Sequence, residues 1–194
     1  MRGGWLTIVR LRGVVFRAHW TFLIPFVVAL DAPMTSLFWL AIVLGHELGH
    51  AFFVRLFGAE VLGIDVWILG GFCRWRGQTS FSQRSIVAWG GVLVQLAMLA
   101  VATLALYAQP KLFGDFTSEF SAIFIDFNAA MIALNLLPFP PLDGGEAWKI
   151  IPYSLEKVVD TVRGRKLRQT QVSVLAELAT FERHGGEKSK FDIN

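Results

Sequence analysis

The segment His46-Glu47-Leu48-Gly49-His50 carries the residue types of a metal-dependent hydrolase. Side chains four positions apart lie on one face of a helix, so His46 and His50 can bind the same metal ion. The carboxylate beside the first histidine then lies next to the open coordination position. Zinc bound in this way polarises a carbonyl and acidifies water, while the carboxylate takes and delivers protons. The segment therefore predicts a zinc site with Glu47 as the catalytic base.

A zinc hydrolase usually takes three ligands from the protein and keeps one position for water. Asp143 is the best third candidate, because three prolines between positions 138 and 141 end a helix and Gly144-Gly145 let the chain turn. The alternative is an ordinary Asp-Gly turn at the end of a helix. His19 and His184 are poorer candidates, since they lie in the first segment and in the distal tail.

The chain is too apolar for an ordinary soluble domain or a disordered protein. Its 194 residues are 54% hydrophobic and 17% charged, with a mean hydropathy of +0.52, whereas soluble domains carry about 25% charged residues. The block at 86–108 has no charge. At about 1.5 Å per residue it can cross a hydrocarbon core of about 30 Å. The composition therefore predicts an integral membrane protein.

Four apolar blocks are candidate membrane spans, at about 20–30, 37–56, 86–108 and 120–137. Residues 5–20 favour two short strands around Gly13, and residues 61–75, with Gly70-Gly71 in the middle, favour a β-hairpin. We expect a mainly α membrane protein with about four transmembrane helices, a small membrane-associated β element and a cytoplasmic helical tail. The expected divisions are surface strands at 1–19, a core at 20–145 and an amphipathic helical tail at 146–194.

The distribution of lysine and arginine predicts the orientation. Basic residues precede the first span, occupy the connection at 55–85 and fill the tail, whereas the other two turns contain only Lys111. The positive-inside rule then places both termini and the metal site toward the cytoplasm. We expect a multi-pass protein of a prokaryotic cell membrane and no nucleic-acid partner. The single cysteine, Cys73, excludes an internal disulfide and a cysteine zinc cluster.

Two motifs together carry a resemblance to a known family. His46-Glu-Leu-Gly-His50 and the later Asn135-Leu-Leu-Pro-Phe-Pro-Pro-Leu-Asp-Gly-Gly145 resemble the site-2 protease family of intramembrane zinc metalloproteases. The resemblance implies that Asp143 is the third zinc ligand and that Asn135 holds substrate or the developing oxyanion. Asn128 matches a further family position. An interhelical hydrogen bond explains Asn128 equally well.

The resemblance also implies the substrate, a membrane protein with a transmembrane helix that is cut by regulated intramembrane proteolysis within the bilayer. Gly70 and Gly71 are expected either to form a plain turn or to lie at a sheet edge that pairs with the substrate backbone. A proteolytically inactive zinc-binding or client-holding protein of the same fold is the alternative. An adaptor or an oligomer is not predicted by any pattern in the chain.

Two positions depart from what the family resemblance implies. The third span carries Gly91-Val-Leu-Val-Gln95 where the family often has Gly-Pro-x-x-Asn, and Gln95 can replace the polar contact. Asp126 lies inside the fourth span, where a carboxylate needs a partner. We expect it to pair with Arg17 or His19, or else to face a water-filled cavity.

Overall fold

The computed structural model describes residues 3–188 and is mostly helical. The helices are α1 (Ile24–Val28), α2 (Pro33–Leu56), α3 (Phe81–Ala108), α4 (Thr117–Ser121), α5 (Asn128–Asn135), α6 (Gly144–Ala147) and α7 (Ile150–Lys188). The strands are β1 (Trp5–Leu11), β2 (Val14–His19), β3 (Glu60–Trp67) and β4 (Gly70–Arg76). A π-helical segment, Ala122–Phe127, joins α4 to α5.

The four strands form one sheet in the order β1-β2-β3-β4. Strands β1 and β2 are antiparallel around a turn at Arg12 and Gly13, whose φ angles of 47° and 86° suit a tight hairpin. Strands β3 and β4 form the second antiparallel hairpin. Both predicted β segments are therefore confirmed. The parallel pairing of β2 with β3, which joins them into one sheet, was not predicted.

Three helical stretches are long and apolar enough to cross a membrane: α2, α3 and the run Gly114–Asn135, which contains α4, the π-helical segment and α5. They correspond to the second, third and fourth predicted spans. The predicted first span, at 20–30, is instead a 3-10 turn of four residues followed by α1 of five. These nine positions cover about 16 Å, about half of a hydrocarbon core. We therefore correct the prediction of about four spans to three among the described residues.

Helices α2 and α3 pack backbone against backbone where Gly49 faces Gly90. A Cβ atom on Gly90 would lie 2.7 Å from the carbonyl oxygen of Gly49, which is closer than real Cβ contacts. Small residues allow two membrane helices to bring their backbones together in this way. Gly49 lies between His46 and His50 in the sequence of α2. This contact therefore fixes how close α3 comes to the predicted metal ligands.

A buried carboxylate ties three strands of the sheet together. Asp65 on β3 accepts hydrogen bonds from Arg17 on β2 and from Arg74 Nε on β4, the latter at 2.8 Å. His19 is hydrogen-bonded to Thr21 Oγ1 at 2.8 Å. The structure therefore brings neither Arg17 nor His19 to Asp126, because each has another partner. Asp126 itself is exposed on the π-helical segment.

The chain divides into two compact units, the first reaching Ile150 and the second starting at Ile151. Within the second unit α7 is a single helix, and its described apolar side chains at Leu155, Leu167 and Leu175 are exposed. A helix is thus present where a helical tail was predicted, and its cytoplasmic location stays a prediction. Positions 1–2 of the predicted strand segment and 189–194 of the predicted tail lie outside the described residues.

Candidate metal centre

The structure brings the three predicted ligands together. His46 and His50 lie one turn apart on α2, both buried, with their Nε2 atoms 3.0 Å apart. Asp143 Oδ2 lies 2.9 Å from His46 Nε2 and 3.3 Å from His50 Nε2. Two nitrogen atoms from one helix and one oxygen atom from a distant turn therefore surround the same small space.

Each imidazole is oriented by an oxygen atom on its other side. The Nδ1 atom of His46 lies 2.9 Å from Gln95 Oε1, and that of His50 lies 2.8 Å from the carbonyl oxygen of Val87. An oxygen acceptor at Nδ1 places the ring proton there, which leaves Nε2 with its lone pair in a neutral imidazole. Both lone pairs consequently face Asp143.

The arrangement fits a bound cation. Two nitrogen lone pairs and a carboxylate oxygen at these separations repel one another unless a positive charge lies between them. Asp143 Oδ2 is buried and has no hydrogen-bond partner among the described residues. Ligand atoms about 2.0–2.2 Å from tetrahedral zinc lie about 3.3–3.6 Å apart, close to the observed 2.9–3.3 Å. The donor set and its spacing are those of a zinc site.

Asp143 is held in place by tight packing of the turn around it. A Cβ atom on Gly144 would lie 2.5 Å from the carbonyl oxygen of Leu136, so only glycine lets the turn fold onto the end of α5. Helix α3 fixes the other side, because Ser85 Oγ donates to the carbonyl of Glu146 at 3.0 Å and Trp89 Nε1 donates to that of Ala147 at 3.1 Å. The sharp turn predicted after the prolines is confirmed.

Positive charge at this position keeps Asp143 ionised. Burial alone would raise the pKa of its carboxyl group, and protonated imidazoles at His46 and His50 would outweigh burial and lower that pKa. With both imidazoles neutral, a metal cation in the same place would favour the carboxylate in the same way.

Helix α3 passes directly over the His46 ring. A Cβ atom on Gly91 would lie 2.6 Å from His46 Nδ1 and 2.7 Å from Nε2, so a side chain there would displace the imidazole. Gln95, four residues later on the same face, supplies the oxygen that orients the ring. The polar contact expected of Gln95 is confirmed. The role of Gly91 in leaving space for the His46 ring was not predicted. A single glycine in a helix does not indicate from the sequence which side chain will pack against it.

Glu47 is buried beside the ligands, with 3% of its surface exposed. Strand β4 covers it, since a Cβ atom on Gly71 would lie 2.7 Å from Glu47 Oε1. Cys73, two residues along the same strand, is also buried. Burial, together with the nearby Glu47 carboxylate, raises the pKa of the Cys73 thiol to about 12. The thiol is thus protonated and serves as a small apolar side chain, as the sequence favoured.

Gly70 and Gly71 begin the outer strand of the sheet. The tight turn of the hairpin lies at positions 68 and 69, and Gly70 is the first residue of β4 with a φ angle of 147°. The glycine pair is therefore not the turn itself. Among the described strands, β4 is an edge strand and its outer edge is unpaired. The same strand contacts Glu47 through Gly71.

The two asparagines occupy different environments. Asn128 is completely buried, and its Nδ2 donates to the backbone carbonyl of Gln95 at 2.9 Å. Asn128 therefore forms the interhelical hydrogen bond that was one of its two predicted roles. The other, a role of Asn128 in substrate binding, stays a prediction. Asn135 is the last residue of α5, is half-buried and makes no hydrogen bond among the described residues. Its catalytic role also stays a prediction.

Comparison with known proteins agrees with this site. The family model described as Peptidase M50B-like matches residues 20–125, more than half of the chain. The chain therefore belongs to the Peptidase M50B-like family, the site-2 protease family of zinc metalloproteases, and its cofactor is zinc. The putative zinc metalloprotease Rip3 of Mycobacterium tuberculosis is 27% identical over 163 residues, which is 70% of this chain and 40% of that protein.

Two further proteins are similar to parts of the chain. The putative zinc metalloprotease sll0528 of Synechocystis is 29% identical over 128 residues, 63% of this chain and 32% of that protein. This chain thus spans less than half the length of both curated relatives. A solved structure, the site-2 protease from Methanocaldococcus jannaschii, matches with a TM-score of 0.53 at 18% identity. The match covers 77% of this chain and 72% of the chain in that structure. That likeness supports the fold.

The orienting role of Gln95 gives a testable prediction. Replacing Gln95 with Leu removes the oxygen atom at His46 Nδ1, so the ring loses its fixed tautomer and orientation. We expect zinc affinity to fall about 10- to 100-fold, measured by competition with a chelating dye. Gln95→Glu keeps an oxygen acceptor at that position and is expected to retain most of the affinity. Equal affinities for Gln95→Leu and the unmodified chain would show that Gln95 does not orient the ligand.

Proposed function

We propose that this chain is an intramembrane zinc endopeptidase that cuts transmembrane segments of other membrane proteins, in regulated intramembrane proteolysis. The observation that carries the proposal is a three-ligand zinc geometry with a buried carboxylate beside it, near the middle of a membrane-length helix. His46 is the fourteenth of the 24 residues of α2. Ionisable groups at such depth are costly in lipid and mark functional sites.

His46, His50 and Asp143 would hold the zinc ion in this mechanism. Bound zinc supplies Lewis acidity, which polarises the scissile carbonyl and makes water a stronger acid. Glu47 would accept a proton from the attacking water at a carboxylate oxygen and deliver it to the amide nitrogen that leaves. Asn135 would donate its side-chain N–H to the developing oxyanion.

The unpaired edge of β4 offers a place for the substrate. A peptide bond inside a helix is shielded by its neighbours, so the cleaved segment must be extended, and its backbone groups then need partners in a lipid setting. Strand addition to β4 would satisfy those groups. Because Gly71 of β4 packs against Glu47, a strand paired there would run close to the catalytic carboxylate.

The orientation that we propose places both termini and the metal centre toward the cytoplasm. Its support is the bias of lysine and arginine toward one side of the spans. Arg55 lies in the last turn of α2, Arg74 and Arg76 lie in β4, and Arg84 lies in the first turn of α3. The only basic residue in the connection between α3 and the third membrane-length run is Lys111.

An inactive zinc-binding or client-holding protein of the same fold is the second candidate. Such a protein would need His46, His50 and Asp143 but would have no use for Glu47, whose buried carboxylate is costly unless it is used or neutralised. The position of Glu47 between the ligands and β4 favours the peptidase over this candidate.

The role of Glu47 predicts a separation of metal binding from turnover. In Glu47→Gln the proton acceptor is lost and all three ligands remain, so cleavage of a transmembrane substrate should fall by about 100-fold or more while zinc stays bound. The measurement is cleavage of a fluorogenic transmembrane peptide in proteoliposomes, with metal content measured in parallel. Glu119→Gln, at a half-buried position outside the metal centre, is the matched control. Undiminished cleavage by Glu47→Gln would rule out the mechanism.

The contact between β4 and Glu47 makes a second prediction. Gly71→Ala places a methyl group against the Glu47 carboxylate, which must shift the carboxylate or the strand. A displacement of this size should lower the cleavage rate about 10- to 100-fold without loss of zinc. Gly164→Ala adds the same methyl group where nothing lies within 4 Å and should leave the rate unchanged. Normal cleavage by Gly71→Ala would remove β4 from the active site.

A further inference from the structure

A cavity separate from the metal centre lies between the sheet and the C-terminal half of α2. Its volume is about 540 Å³, inside the range of about 300–1,000 Å³ that small-molecule sites occupy. None of its lining residues belongs to the proposed metal centre. Most of its wall is apolar and is formed by Val14, Phe16, Phe52, Leu56, Val61 and Ile64.

Two arginines converge on this apolar cavity. Arg12, in the turn between β1 and β2, and Arg55, in the last turn of α2, both line it, and both also line a smaller cavity of about 310 Å³ that shares Val61. Both arginines are exposed, and neither makes an ion pair within residues 3–188. Glu60, the carboxylate of the smaller cavity, accepts a hydrogen bond from Arg76 at 2.8 Å. Two arginines thus line the same cavity, and neither forms an ion pair with a described carboxylate.

The same cavity is continuous with a surface that can face lipid. Leu48, Phe52 and Leu56 follow one another at four-residue spacing on α2, and they are 50%, 61% and 62% exposed. Residues at this spacing lie on one face of a helix. Leu11 of β1, which lines the cavity beside Arg12, is also more than half exposed. An apolar chain could therefore pass from the bilayer into the cavity without crossing polar surface.

The combination of an apolar cavity and two unpaired cations defines the ligand class. We propose that this cavity binds an anionic phospholipid, with an acyl chain against the apolar wall and the phosphate group between Arg12 and Arg55. Guanidinium groups match the geometry of phosphate oxygens. In the proposed orientation both arginines also lie on the cytoplasmic side, where anionic lipids attract basic residues. Binding at this cavity requires neither zinc nor peptidase activity.

The proposal is tested by titrating the purified full chain, in a non-ionic detergent, with three probes. The probes are dioctanoyl phosphatidylglycerol, dioctanoyl phosphatidylcholine and inorganic phosphate, with isothermal titration calorimetry as the measurement. We expect phosphatidylglycerol to bind at least about tenfold more tightly than phosphatidylcholine. Inorganic phosphate, which lacks the acyl chain, should give no measurable binding. This last arm separates a lipid headgroup from free phosphate.

Variants locate the site. The double variant Arg12→Gln/Arg55→Gln should lose about 30-fold in affinity for phosphatidylglycerol and less in affinity for phosphatidylcholine, whose choline cation offsets the charge of its phosphate. Leu56→Gln, on the apolar wall, should weaken the binding of both lipids. Arg84→Gln removes another exposed arginine, one outside the cavity, and should bind phosphatidylglycerol as the unmodified chain does. Circular dichroism of each variant reports whether it folds.

Three results would overturn the proposal. They are equal affinity for the two lipids, an equal loss in Arg84→Gln, and binding of inorganic phosphate as tight as that of phosphatidylglycerol. If the double variant does not fold, the single variants Arg12→Gln and Arg55→Gln replace it, each with an expected loss of about fivefold. Full affinity in both single variants would likewise exclude the arginines as the phosphate site.

Discussion

The constraint on which the site depends is the convergence of three electron-pair donors in a largely buried space. His46 Nε2, His50 Nε2 and Asp143 Oδ2 lie within 3.3 Å of one another, and such a group is stable only around a positive charge. The oxygen atoms of Gln95 and of the Val87 carbonyl direct the two imidazoles inward. Folding of this region and binding of the cation are therefore coupled, since the site is assembled from α2, α3 and a distant turn.

Glycines make that assembly sterically possible. Gly49 and Gly90 let α2 and α3 touch, Gly91 leaves space for the His46 ring, and Gly71 leaves space for Glu47. Gly144 lets the Asp143 turn fold against the end of α5. At each of these positions a Cβ atom would meet backbone or a site residue. Much of the geometry of the metal centre thus depends on positions that have no side chain. Small residues allow membrane helices to pack this closely.

Sequence patterns predicted the parts of this protein that depend on local spacing. The four-residue separation of His46 and His50 paired those two side chains, and the proline-glycine punctuation made Asp143 the best third candidate, with an ordinary turn as the alternative. The family resemblance implied its ligand role, and the fold brings the three residues together. Long-range pairing was not predictable: the parallel contact of β2 with β3 and the Asp65 cluster leave no periodic signal. The predicted first span was wrong because an apolar block of eleven residues, at 20–30, does not determine helix length.

The central claim is most directly tested by the zinc content of the purified protein and of Asp143→Ala, measured by inductively coupled plasma mass spectrometry after dialysis. Asp126→Ala, which removes an exposed carboxylate from the π-helical segment, is the matched control. The account predicts about one zinc ion per chain in the unmodified protein and in the control, and about a tenth of that or less in Asp143→Ala. Full zinc content in Asp143→Ala would contradict it.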